Sequence, residues 1–130
     1  IKANITSMNW NIDSYSYAAG GTLAAGTALS ISVNFNESIT VTGGAPTLTV
    51  NNDSRANLTF AYNASLSTAN RMTFILAIAA AHASTNAGDI LVVGANKVAL
   101  AGGGVVGADG QAALITHAAD MGQGTLTATA

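Results

Sequence analysis

At 130 residues with no cysteine, the chain is the size of one domain that can enclose a core without staples, and it has neither a disulfide framework nor a thiolate metal site. Charged residues are 8% of it and the net charge is −2, against a usual charged share of roughly 25%. The four cations, Lys2, Arg55, Arg71 and Lys97, are scattered, which excludes a phosphate-neutralising patch and hence nucleic acid. The longest apolar run, Phe74 to Ala81, falls far short of the roughly 20 residues of a membrane span.

In chain order, ITSMNW (5–10) reads as a first strand with imperfect alternation, in which Trp10 buries a large area only if its indole N–H finds a partner. Tyr15 and Tyr17 share one face of a short second strand, and Gly20-Gly21 and Gly26 mark turns. The clearest element is ALSISVNF (28–35), where Leu29, Ile31, Val33 and Phe35 alternate with Ser30, Ser32 and Asn34. That period of two predicts a strand with one buried and one wet face, and its register is fixed because a one-residue slip would put all four apolar side chains in water.

Asn36-Glu37-Ser38 interrupts the strand before Ile39-Thr40-Val41 resumes it, as a bulge or a crossing between sheets would. TGGAP turns the chain, and TLTV (47–50), the turn NNDS and ANLTFAY (56–62) then form a hairpin. After the polar turn NASLSTAN, RMTFILAI (71–78) puts Met72, Phe74, Leu76 and Ile78 on one side. AAAHASTNAGD is a loop with candidate helical turns. ILVV (90–93) and KVAL (97–100) are short strands around GAN, AGGGVVGADG (101–110) is a flexible, glycine-rich spot, and LIT (114–116) and TLTATA (125–130) finish the sheet. Short strands bounded by turn residues predict an all-β Greek-key sandwich of about nine to ten strands in a single domain, 1–130.

Five segments, FNESITVTGGAPTLTV, LTFAYNAS, MTFILAIAA, NAGDIL and KVALAGGGVVGADG, resemble in this order the Ig-like modules of bacterial surface and repeat proteins and the Ig-like structural proteins of marine tailed phages. The resemblance runs from about Gly26 to Gly110 and rests on strand patterns and turn residues. It departs at Ala101–Gly104, where those modules carry an Asn-Gly-Gly turn. It implies an extracellular, virion-surface or bacterial cell-surface module with a mechanical or adhesive task. The chain opens on Ile1 with no charged region leading into an apolar one, so no signal peptide is expected within these residues, and secretion is permitted.

No residue pattern announces catalysis. Asp13, Glu37, Asp53, Asp89, Asp109 and Asp120 are dispersed, whereas calcium takes six to eight oxygens from ligands that a loop site clusters; turn and cap roles are the simpler expectation. His82 and His117 are expected in solvent, with no nucleophile and orienting group placed for a triad. Gly102–Gly104 lacks the Lys-Ser or Lys-Thr of a phosphate loop. No cofactor is expected. Trp10, Tyr15 and Tyr17 are candidates for stacking on sugar rings, set against the plainer role of core and sheet-edge residues. Asn4, Asn36, Asn52, Asn57 and Asn63 each begin an N-x-S/T acceptor pattern, relevant only in a secreted protein.

With so little charge, the exterior is built from Thr, Ser, Asn, Gln, Gly and Ala, which resists self-association weakly. The sequence therefore predicts a non-enzymatic structural subunit whose partners are copies of itself, with other virion or surface proteins as further partners. Its uncharged end segments, 1–10 and 125–130, are candidates for adding to a neighbour's sheet edge. The alternative is a carbohydrate-binding adhesin module with glycan partners, and a hydrolase is the least expected reading.

Overall fold

The computed structural model describes residues 3–11, 15–18, 22–23, 28–52, 57–77, 90–100, 102–119, 121–123 and 126–129, and among these twelve strands and one short 3-10 turn make up the regular structure. The strands are β1 (Ile5–Trp10), β2 (Tyr15–Ala18), β3 (Thr22–Leu23), β4 (Ala28–Phe35), β5 (Ile39–Thr42), β6 (Thr47–Asn52), β7 (Leu58–Tyr62), β8 (Arg71–Ala77), β9 (Ile90–Val92), β10 (Val98–Ala99), β11 (Gly104–Gly107) and β12 (Leu126–Thr129). The fold is all-β, with two more strands than the upper expected count. Gly20-Gly21 and Gly26, Asp53 and Ser54 of the hairpin turn, Ile78 at the end of the expected strand 71–78, and the segment AAAHASTNAGD (79–89) lie outside the described residues.

One continuous sheet follows the order β1-β4-β8-β7-β6-β9-β12-β2-β3, with β10 also on β6, and every pair is antiparallel except β12–β2. This sheet is curled. Leu29, Ile31 and Val33 of β4, Leu48 and Val50 of β6, Phe60 of β7, Phe74 of β8 and Leu91 of β9 are all fully buried in one cluster, so strands far apart in the order turn the same face inward. Two edge-to-face ring pairs lie in or beside this core: Trp10–Phe60 with centroids 6.1 Å apart, and Tyr62–Phe74, opposite each other on β7 and β8, with centroids 6.2 Å apart. Such pairs add about 0.5–1.5 kcal/mol beyond the area they bury.

The alternation of β4 sets its register as expected, pairing Leu29 with Leu76, Ile31 with Phe74 and Val33 with Met72 across β8. Its second face is not uniformly wet. Ser32 is 1% exposed and Thr73 is 2% exposed, because Asn11 and the turn Ala64–Leu66 cover them. The imperfect alternation of β1 has a cause: its register against β4 shifts between Ile5 and Ser7. A bulge of that kind puts an extra residue in one strand, so Ile5 and Met8, three apart, both face the core.

The interruption at Asn36–Ser38 is a crossing. β5 leaves the main sheet and pairs with β11, from Ile39 opposite Gly107 to Thr42 opposite Gly104. The glycine-rich segment is thus partly strand rather than flexible loop. A Cβ on Gly103 would collide with the carbonyl oxygens of Thr42 and Gly44 and lie 2.6 Å from Gly44 N, so glycine alone lets the two backbones approach. LIT forms no strand; Leu114 makes an isolated bridge to Asn4. β9 and β10 lie end to end along β6, and Val93–Lys97 loops out between them. Both end segments belong to their own sheet: β1 pairs β4 on one side, and on the other Met8 N donates to Met121 O while Ala3 O, just before β1, accepts from Leu114 N; β12 lies between β9 and β2. Exchange of either segment between subunits would first have to break these pairings.

Candidate binding site

The outer surface of β1, β4 and β8 carries a ladder of amides and hydroxyls. Asn34 Nδ2 donates to Asn9 Oδ1 at 3.0 Å and to Ser7 Oγ at 3.1 Å, and Asn9 Nδ2 donates to Asn11 Oδ1 at 3.0 Å. Asn11 Nδ2 donates to Ser30 Oγ at 2.7 Å and to Ser32 Oγ at 3.0 Å. These contacts follow from the pleat, which brings every second residue of adjacent strands to one face; Ser32 stands opposite Asn9 on one side and Thr73 on the other.

Between this ladder and the turn Ala64–Leu66 lies a cleft of about 250 Å³ lined by Asn11, Ser30, Ser32, Leu66, Arg71 and Thr73. Its wall is strapped in place. Asn63 Oδ1 caps the turn by accepting from Leu66 N at 3.1 Å, Ser67 Oγ donates to Asn63 O and accepts from Thr73 N, and Thr73 Oγ1 donates to Leu66 O at 3.0 Å. Leu66 nevertheless remains 51% exposed. Arg71 follows a tight turn in which Thr68 and Arg71 exchange backbone hydrogen bonds. Its Nε is buried and has no hydrogen-bond partner among the described residues.

The residues singled out in the sequence lie elsewhere. Trp10 is half-buried against Phe60, and its indole N–H is buried with no partner among the described residues, so the condition set for burying it is unmet. Tyr15 and Tyr17 are in β2, with side chains outside the described set. Asn4, Asn36 and Asn57 are exposed. Asn36 Oδ1 accepts from Asn4 N at 2.8 Å, while Asn63 is the cap just described. Asn52 ends β6, its side chain outside the described set.

His117 is 7% exposed rather than solvated. Its Nε2 accepts from Lys97 N at 2.9 Å, so its proton sits on Nδ1, 2.8 Å from the Ala118 carbonyl that accepts it. Asn96 Oδ1 accepts from His117 N at 2.8 Å, and Asn96 N donates to His117 O. Asn96, at φ 57, takes the left-handed conformation that Asn tolerates better than most residues. This imidazole holds the Val93–Lys97 excursion rather than facing a nucleophile.

Asp109 Oδ1 accepts from Gln111 N at 3.0 Å, a turn role as expected. Glu37 Oε1 is buried without a hydrogen-bond partner among the described residues, close to where a Cβ on Gly107 would sit. His82, Asp13, Asp53, Asp89 and Asp120 fall outside the described residues. Among the described residues no three His, Cys, Asp or Glu side chains are grouped to hold a metal ion, and no helix is long and apolar enough to cross a membrane.

The cleft was not expected from the sequence, although one signal was present. Among the described strands Arg71 is the only charged residue. The chain matches no protein-family model, no curated protein and no solved structure.

Proposed function

We propose that this chain is a non-enzymatic structural module, an Ig-like Greek-key β-sandwich repeated on the outside of a virion or in a cell-surface filament, whose main partners are copies of itself. The observation that carries the reading is the near absence of charge from the sheet, where Arg71 is the sole charged residue in twelve described strands. Natural sheets blunt their edges with Lys, inward charges, Pro or bulges to prevent edge-to-edge pairing. The bulge at the start of β1 is one such device, but β3, which ends the strand order, carries only Thr22 and Leu23. A surface of Thr, Asn and Ser can be covered by a neighbour without stripping water from buried charges, the costly step in polar association. The strand order β1-β4-β8-β7-β6-β9-β12 supports the Ig-like part of the reading, since one curled sheet brings strands far apart in this order onto a single core.

Electron micrographs of the purified chain at increasing concentration test this reading. Fibres, sheets or shells of regular repeat are the expected outcome. Dispersed single particles throughout would overturn it. A second reading, a carbohydrate-binding module on a bacterial or phage surface, is favoured by the hydroxyl- and amide-lined cleft beside Leu66 and Arg71.

A further inference from the structure

We propose that the cleft between Asn11, Ser30, Leu66 and Arg71 binds a sugar acid, with the ligand carboxylate on the Arg71 guanidinium and the C–H face of the ring on Leu66. The inference deepens the second reading above and is independent of whether the chain assembles.

Hydrogen-bond accounting within the cleft selects the ligand. Thr73 gives its one hydroxyl proton to Leu66 O. Asn11 gives both amide protons to Ser30 and Ser32, and its Oδ1 already accepts from Asn9. The Ser32 proton goes to Asn11 Oδ1 or to Thr73 Oγ1. What remains is donor capacity: the Ser30 hydroxyl, which accepts from Asn11 but has its own proton free, and the guanidinium of Arg71. A site with spare donors and a fixed positive charge calls for a ligand of acceptors and negative charge, and the planar fork of Arg matches a carboxylate in two parallel bonds.

Nothing in the described structure neutralises this charge. Among the described residues Arg71 has no ion-pair partner, and its buried Nε has no hydrogen bond. The cleft, at about 250 Å³, is smaller than the roughly 300–1,000 Å³ that holds drug-sized molecules, and suits one ring. Leu66 supplies the apolar surface that a sugar's C–H face covers, while Ser30 meets a ring hydroxyl. The straps through Asn63, Ser67 and Thr73 fix Leu66 against β8 before any ligand arrives, which limits the ordering cost of binding.

The test is titration of the full chain with glucuronate, glucose and acetate, followed by the NMR signal of Arg71 Nε–Hε and by calorimetry. Glucuronate is expected to saturate and to shift that signal, with glucose and acetate each at least tenfold weaker. Arg71→Gln should abolish glucuronate binding, and Leu66→Ala should weaken glucuronate while leaving acetate unchanged. Equal binding of glucose and glucuronate, glucuronate binding that leaves the Arg71 signal unmoved, or no saturable binding would each overturn the proposal. The wild-type signal decides the matter even if Arg71→Gln fails to fold. Saturable binding of uncharged glycans alone would refute the carboxylate and keep the carbohydrate reading, so the two failures are distinguishable.

Discussion

The β4–β8 pair and the β5–β11 ribbon are both antiparallel ladders, yet they are held by opposite means. Across β4 and β8 the inner face is filled by Leu29, Ile31, Val33, Met72, Phe74 and Leu76, and the outer face by hydroxyls bonded to one another. In the ribbon, approach depends on what is missing: Gly103 leaves room for Gly44 and Thr42, and Gly43 turns the chain at φ 70. Side chains specify the first pairing, and their absence permits the second. The two regions should therefore fail differently.

The largest effect is expected from emptying the first. Phe74→Ala removes a fully buried ring that touches Tyr62 and should cost about 3–5 kcal/mol, the usual range for a buried aromatic, read as a lower denaturant midpoint at an unchanged slope. Filling the second comes next. Gly103→Ala should cost about 3 kcal/mol, the upper end for overpacking, and should speed hydrogen exchange at the Val41 and Val105 amides before it does so in β4. Equal acceleration in both regions would mean that the ribbon is not a separate cooperative unit.

A third device sharpens the contrast, since the Val93–Lys97 excursion is held by neither burial nor glycine but by hydrogen bonds to His117. His117→Ala strands the Lys97 amide and should cost about 2 kcal/mol, within the range for an unmatched buried group, with exchange rising at Lys97 first. The smallest effect belongs to the outer ladder. Asn11→Ala removes bonds to Ser30 and Ser32 at a site open to water and should cost about 1 kcal/mol, measured by the same unfolding curve.

The same contrast explains what could be read from the sequence. β4 was legible because alternation of apolar and polar residues is itself the pairing instruction, and β8 because Met72, Phe74 and Leu76 recur at every second position. The crossing at Asn36–Ser38 was legible as a break in that instruction. β11 was not, because a strand whose neighbours are glycines carries little hydropathy pattern, and the reason for those glycines is a close approach to residues some sixty positions earlier. LIT had the pattern without the partner. The cleft was hidden for a related reason: Asn11, Ser30, Leu66 and Arg71 come from four separate segments, and only the register of three strands unites them.

The central functional claim is that an uncharged sheet surface is built to meet its own kind. Sedimentation velocity of the intact chain from micromolar to millimolar concentration, at low and at high salt, tests it most directly. Oligomers that grow with concentration and persist in high salt are predicted, because contacts between Thr, Asn and Ser surfaces carry little charge to screen. A single monomeric boundary at every concentration would contradict the account.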